Sequence, residues 1–122
     1  MSMQESVRSV GVMEECAEGD ALIVRVRDAR FDKRSAPLVW ERLRTLIRNG
    51  HRRVAFVMSD VEFIDSSGLG VLVLAEQRLG VHGGFVISNP TDTVMSMLRL
   101  TRLAKVFRIF ANERQAIAAL HG

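Results

Sequence analysis

Residues 54–79 read VAFVMSDVEFIDSSGLGVLVLAEQRL, and this stretch indicates the fold class of the protein. It opens with a continuous apolar run over 54–58, which is typical of a central strand that is covered on both faces. A loop follows, and a helix is predicted from about Ser66 to about Leu79. The first half of that helix has almost no polar face, so it must be buried. A buried strand that leads into a buried helix indicates an α/β domain.

Upstream of this stretch, the pattern predicts two strands and a helix. A short strand is predicted over 10–15, and a second over 21–27, where apolar residues alternate with a period of two. Ser35 is the predicted N-cap of the first helix, with Pro37 in its first turn. Its apolar stripe comprises Val39, Leu43, Leu46 and Ile47, and its outward face comprises Glu41, Arg42, Arg44 and Arg48.

Downstream, the chain continues to alternate strands with helices. A strand is predicted over 85–87, a short helix follows with Val94, Met97 and Leu98 inward, and a brief strand is predicted over 106–110. Asn112 is the predicted cap of a last helix, whose apolar stripe comprises Ala116, Ile117 and Leu120. The order of elements predicts an α/β fold with a single mixed β-sheet of about four to five strands and about four helices.

The length and composition fit a single globular domain. The chain has 122 residues, of which 48% are hydrophobic and 25% charged, and compact domains commonly have about 100–150 residues. Residues 1–9 are polar, and we expect a flexible N-terminus there, followed by one domain over 10–122. No apolar run is long enough for a membrane span or a signal peptide, so we expect a cytoplasmic protein that does not bind membranes.

The charge is modest and comes with an excess of arginine. The net charge is +3, and the 17 basic residues include only two lysines, Lys33 and Lys105. The arginines on the first helix, with Arg52 and Arg53 beyond it, indicate a solvated or protein-docking face. No interleaved aromatic residues accompany them, so nucleic acid is not an expected partner.

The most distinctive segment is Asp65-Ser66-Ser67-Gly68-Leu69-Gly70 at the start of the second helix. The first backbone N–H groups of a helix are unpaired, so Asp or Ser there can cap the helix or present an anion. A purely structural role stays open: Asp65 or Ser66 caps a buried helix, and the glycines fit that helix to the sheet.

Enzymatic alternatives lack their motifs. A dinucleotide fingerprint would need a third glycine, a P-loop would need its lysine, and there is no Gly-x-Ser-x-Gly elbow. The lone Cys16 excludes an intrachain disulfide and is not expected to be catalytic, and the histidines have no metal-ligand spacing. Asp60, Glu62 and Asp65 indicate a solvated acidic loop. We therefore predict no enzyme activity, cofactor or metal site.

The sequence resembles the STAS-domain anti-sigma-factor antagonists. Residues 65–70, preceded by Phe63-Ile64, resemble the phosphorylation motif of that family, and residues 31–37 (FDKRSAP) resemble its acidic residue before a helix start. Gly83-Gly84 and the Leu103-x-x-Val106-Phe107 pattern also fit, so the likeness spans roughly residues 20–120. It implies a STAS-like fold.

The resemblance also implies a partner switch in a bacterial signalling pathway. Such a protein binds, when unphosphorylated, to an anti-sigma factor that is also a serine kinase. That kinase phosphorylates the first serine of the motif, here Ser66 with Ser67 as second choice, and a metal-dependent serine phosphatase reverses the change. The implied partner-binding residues are Asp32, Ser35, Asp65, Ser66, Ser67, Gly68 and Leu69.

Two alternative functions remain open at this stage. One is a STAS module that docks without a phosphoswitch, as a scaffold or as the accessory subunit of a lipid transporter. The other is a nucleotide-binding regulator, suggested only by the glycine-containing helix start. For the leading interpretation we expect a monomer or a weak dimer.

Overall fold

The computed structural model describes residues 7–121, which form eight strands and four α-helices. The strands are β1 (Val7–Val10), β2 (Met13–Glu18), β3 (Ala21–Val26), β4 (Arg30–Phe31), β5 (Val54–Val57), β6 (Phe63–Ile64), β7 (Phe85–Ser88) and β8 (Ile109–Phe110). The helices are α1 (Ala36–Arg48), α2 (Ser66–Leu79), α3 (Asp92–Leu100) and α4 (Glu113–His121). Short 3-10 turns follow α2 and α3, at Gly80–His82 and Leu103–Lys105. Within residues 7–121, no helix combines the length and apolar character needed to cross a membrane.

The main sheet is mixed, as predicted, but has six strands rather than four to five. Their order is β1-β2-β3-β5-β7-β8. The first three strands pair antiparallel, whereas β3, β5, β7 and β8 run parallel. A separate two-stranded parallel sheet pairs β4 with β6. Because each of its strands has only two residues, no periodic signal in the sequence reveals it.

The two faces of the main sheet carry different helices. The larger core joins alternate strand residues such as Val24, Phe56 and Ile87 to the buried faces of α1, α2 and α3. The smaller core joins Ala21, Ala55 and Val86 to Ala116 and Leu120 of α4. Both faces of the central strands are therefore covered, which explains the continuous apolar run over 54–58.

The N-terminal hairpin differs from the prediction. The structure begins β1 at Val7, so residues 7–9 belong to the sheet and not to a flexible segment; residues 1–6 lie outside the described residues. The predicted strand over 10–15 is instead split by a turn at Gly11, whose φ of +60° favours glycine. The sequence pattern failed here because polar and charged residues occupy much of both strands.

The segment before the last helix also differs from the prediction. A strand was expected over 106–110, but only Ile109–Phe110 pairs with β7. Arg102 has a φ of 64°, and the backbone continues from it into the 3-10 turn Leu103–Lys105. Val106 is exposed and Phe107 is buried. This alternation of exposure resembles that of a strand, but here it arises from a turn. Asn112 does cap α4, since its Oδ1 accepts the Gln115 N–H at 2.9 Å.

An unexpected ion pair attaches the hairpin to α1. The β2–β3 register places Glu15 opposite Val24, and the Glu15 side chain is only 6% exposed. Arg42 Nε lies 2.5 Å from Glu15 Oε2, and Arg42 Nη2 lies 2.8 Å from Glu15 Oε1. The prediction that Arg42 lies on the solvent-facing side of α1 is therefore wrong, because its side chain contacts Glu15. The hydrogen bonds that Arg42 donates to the Glu15 carboxylate raise the pKa of Arg42.

Removing the arginine tests how much this pair stabilises the fold. In Arg42→Ala, the buried Glu15 carboxylate loses both hydrogen bonds, and we expect a loss of about 3 kcal/mol in the free energy of unfolding. The matched control is Arg44→Ala, whose partner Glu41 is exposed, and a loss below about 1 kcal/mol is expected there. Urea denaturation measures both. Equal losses in the two variants would show that the Glu15 pair has no special role.

Candidate functional site

The candidate site lies where α2 begins, directly after β6. Asp65 is the N-cap residue, with an extended backbone (φ −112°, ψ −172°). Its Oδ1 accepts the Ser67 N–H at 2.9 Å and the Gly68 N–H at 3.2 Å. Of the two caps that the sequence left open, Asp65 is therefore the one used, and the Ser66 hydroxyl is not needed for capping.

The second carboxylate oxygen of Asp65 reaches a different part of the chain. Asp65 Oδ2 accepts the Lys33 N–H at 3.1 Å. The Asp65 N–H in turn lies 3.4 Å from the Phe31 carbonyl oxygen. One side chain thus connects the beginning of α2 to the turn that precedes α1, which are the two segments that carried the sequence resemblance.

Asp32 lies inside that turn and is only 7% exposed. Its Oδ1 accepts the Arg34 N–H at 3.0 Å, and Arg30 Nε donates to its Oδ2 at 3.1 Å. The Arg34 N–H lowers the pKa of Asp32 most, Arg30 lowers it further, and burial opposes both. Because the folded-state pKa is lowered, the resulting stabilisation is present above the unfolded-state pKa and is lost as the pH falls through the folded value.

Ser35 occupies the N-cap position of α1 but does not cap it with its side chain. Its Oγ donates to the Arg30 carbonyl at 2.9 Å and accepts the Asp32 N–H at 3.1 Å. The backbone of Ser35 is already helical, and the Asp32 carbonyl oxygen accepts the N–H groups of Ser35 and Ala36 instead. The Ser35 side chain therefore stabilises the turn by hydrogen bonds within it. The prediction that this side chain caps α1 is wrong.

Gly68 and Leu69 are buried beneath the site. A Cβ atom on Gly68 would overlap the Phe31 carbonyl oxygen and lie 2.8 Å from Ile64 Cγ1. Leu69 is 8% exposed and belongs to the larger core. Their burial gives both residues a positioning role, since they bring α2 against β4 and β6. That they also contact a partner stays a prediction.

Ser66 is the exposed residue of the motif, and Ser67 is half-buried. Both line an open, mostly apolar groove of about 240 Å³ between α1 and α2. The other residues of this α1–α2 groove are Ala36, Pro37, Trp40, Gly70, Val71 and Leu74. The guanidinium carbon of Arg78 lies 5.4 Å from the centre of the Trp40 ring at the side of α1. A serine hydroxyl thus lies beside an apolar surface that a partner can cover.

The neighbouring carboxylates do not form a metal site. Asp60 Oδ2 lies 2.7 Å from Arg27 Nε, and Asp65 is occupied by backbone N–H groups. Among residues 7–121, no three His, Cys, Asp or Glu side chains come close enough together to hold a metal ion.

The structure brings the predicted site residues together at the turn before α1 and the start of α2, and their contact with a partner stays a prediction. Asp65, Ser66 and Ser67 lie at the surface, whereas Asp32, Ser35, Gly68 and Leu69 support them from below. Sequence reasoning missed Trp40 and the α1–α2 groove. The signal available was the single tryptophan of the chain, one residue after Val39 and so at the margin of the apolar stripe of α1.

Comparison with known proteins identifies the family. A family model of the STAS domain matches residues 14–116, so this chain belongs to the STAS domain family. A Thermotoga neapolitana protein described as an anti-sigma factor antagonist is 31% identical over 77 residues, which cover 62% of this chain and 68% of that protein. The resemblance inferred from residues 31–37 and 65–70 is confirmed at the level of the family.

Solved structures agree on the fold. The crystal structure of an anti-sigma factor antagonist from Thermotoga maritima superimposes with a TM-score of 0.82 at 24% identity, covering 92% of this chain and 97% of that one. SpoIIAA in its unphosphorylated form gives a TM-score of 0.72 at 20% identity, covering 95% of each chain. Bacillus SpoIIAA in its phosphorylated form gives 0.64 at 20% identity, covering 92% and 95%. The predicted STAS-like fold is confirmed.

The two glycines of the motif provide a matched test of this packing. In Gly68→Ala, the new Cβ must push α2 away from β4, and we expect the free energy of unfolding to fall by about 2 kcal/mol or more. Apart from its chain neighbours and the nearby helix backbone, no atom lies within 4 Å of a Cβ at Gly70, so Gly70→Ala should stabilise the helix by about 0.5–1 kcal/mol. Thermal and urea unfolding measure both, and destabilisation by the two substitutions alike would contradict the packing described.

Proposed function

We propose that this protein is an anti-sigma-factor antagonist that binds its anti-sigma factor when unphosphorylated and is released by phosphorylation of Ser66. The observation that carries the proposal is the exposed Ser66 beside the α1–α2 groove, on a helix start whose cap is supplied by Asp65. The Ser66 hydroxyl is thus accessible to a kinase while the backbone around it is held in place.

Ser66 is a better substrate than Ser67 for a structural reason. The Ser67 N–H donates a hydrogen bond to Asp65, and Ser67 is half-buried at the edge of the groove. A kinase needs to seat the hydroxyl and several residues around it, and the more exposed Ser66 requires less rearrangement. Ser67 therefore remains the second choice.

A phosphate at Ser66 changes the surface more than it changes the fold. It adds about −1.5 to −2 charges at pH 7, and the N-terminus of α2 favours a nearby anion. The domain should therefore stay folded. A partner that covers the apolar groove, in contrast, would have to desolvate a dianion beside the Asp65 carboxylate. A loss of about 3 kcal/mol at the interface lowers affinity by more than a hundredfold.

The relatives support this assignment. The Thermotoga neapolitana relative is described as an anti-sigma factor antagonist. SpoIIAA has been solved in an unphosphorylated form and, from Bacillus, in a phosphorylated form. By extension, the partners proposed here are an anti-sigma factor with serine-kinase activity and a metal-dependent serine phosphatase. The protein itself acts as the substrate and ligand of these enzymes and carries no catalysis of its own.

The test compares charge at Ser66 with charge at Ser96, an exposed serine of another helix. Purified wild-type, Ser66→Ala, Ser66→Asp and Ser96→Asp proteins serve as baits in extract of the source organism, with bound proteins identified by mass spectrometry. Ser96 is the control because it is exposed on α3. Wild type, Ser66→Ala and Ser96→Asp should retain a serine kinase, and Ser66→Asp should lose it by more than about tenfold. The retained kinase, given ATP, should phosphorylate Ser66.

Other outcomes point to different functions. Binding that is equally strong for Ser66→Asp, with no phosphate on Ser66 or Ser67, would contradict the proposal and would favour a STAS scaffold that docks without a phosphoswitch. Phosphate on Ser67 in the wild-type protein would reverse the choice of residue.

A further inference from the structure

The turn before α1 carries an exposed cation, Lys33, next to the start of α2. The Lys33 N–H donates to Asp65, the residue directly before Ser66. Ala36 and Pro37, just beyond Lys33 in the chain, line the same groove as Ser66. The backbone at Lys33 and the start of α2 are therefore neighbours. The lysine ammonium is carried on a flexible four-carbon stem, so it can extend from this turn toward a phosphate on Ser66.

The Lys33 ammonium is also available, whereas the guanidinium of the nearby Arg30 is already engaged. Lys33 is exposed, and no carboxylate of residues 7–121 lies within ion-pair distance of it. Arg30 Nε donates to Asp32, and its guanidinium lies 4.2 Å from the centre of the Phe63 ring. Arg34 lines a different pocket, which it shares with Asp28 and Asp32.

We propose that Lys33 binds the phosphate group on Ser66 and so stabilises the phosphorylated form of this domain. This inference rests on the proposed phosphorylation of Ser66 and adds to it the residue that receives the phosphate. Without such a cation, the phosphate would face the Asp65 carboxylate with only the N-terminus of α2 to offset the repulsion. An ammonium ion at this position neutralises part of the new charge within the same molecule.

The arrangement has a consequence for the switch. Asp65 already fixes the backbone of Lys33, so binding the phosphate orders only the lysine side chain. The turn and α2 keep their positions, and the phosphorylated surface differs from the unphosphorylated one mainly in charge and in the position of one side chain. The surface that a partner contacts then differs only at Ser66 and Lys33.

The experiment uses the full chain with phosphoserine placed at position 66 during translation, so that no kinase is required. The second ionisation of the phosphate, normally near pH 6, is followed by phosphorus NMR in three variants of that protein: Lys33→Gln, Arg34→Gln and Lys105→Gln. Lys105 is the only other lysine of the chain and is exposed in the 3-10 turn after α3, and Arg34 controls for the loss of any charge in the same turn.

Lys33→Gln should raise the pKa of the phosphate by about 0.5 at low salt, because a cation near the dianion is removed. That shift should fall by half or more in about 0.5 M NaCl, because salt screens the pair. Lys105→Gln and Arg34→Gln should shift the pKa by less than about 0.2. Asp65, Asp32 and Glu62 are present in every variant, so their effect on the phosphate cancels in the comparison. The ammonium resonance of Lys33 should also move when Ser66 carries the phosphate, and that of Lys105 should not.

A shift in Lys33→Gln no larger than in Lys105→Gln, or a larger shift in Arg34→Gln, would overturn the assignment of Lys33. These results are independent of the proposed function. If no kinase modifies Ser66, the proposed function is refuted, but the pKa measured on the phosphoserine protein is unaffected. If Lys33→Gln does not shift that pKa, the assignment of Lys33 is refuted, but the kinase result is unaffected.

Discussion

The carboxylate of Asp65 holds three backbone N–H groups from two segments that are far apart in the chain. One oxygen binds Ser67 and Gly68 at the start of α2, and the other binds Lys33 before α1. Charge-assisted hydrogen bonds of this kind are among the stronger polar contacts in proteins. The turn over 31–35, the short β4–β6 sheet and the start of α2 are consequently one unit, and the position of Ser66 depends on it.

In this unit, the residues that hold the structure together differ from the residues at its surface. Asp32, Ser35 and Gly68 are buried and satisfied internally, so their substitution should disturb the frame before it disturbs any partner. Ser66 and the α1–α2 groove lie on the outside of the same frame. The phosphate proposed at Ser66 would therefore act on a surface held by internal contacts, and it would alter binding without unfolding the domain.

The sequence pattern was sufficient where the periodic signal was long and strong. The apolar run over 54–58 and the buried half of α2 predicted the centre of the fold, and the motif at 65–70 indicated the helix start that carries the candidate site. The pattern failed where structure depends on distant partners. The two-residue strands β4 and β6 are too short to show a period, and each forms only because Arg30 and Phe31 meet Phe63 and Ile64. Similarly, the partner of Arg42 is Glu15, in another element, so its burial could not be inferred from α1 alone.

Amide hydrogen exchange measures whether the Asp65 carboxylate couples the turn before α1 to the start of α2. In Asp65→Ala, the amides of Lys33, Ser67 and Gly68 should all exchange about tenfold faster than in the wild type, since each loses its acceptor. Asp60→Ala is the control, because Asp60 pairs with the Arg27 side chain and should leave those three amides unchanged. Acceleration at Ser67 and Gly68 with an unchanged rate at Lys33 would contradict the coupling.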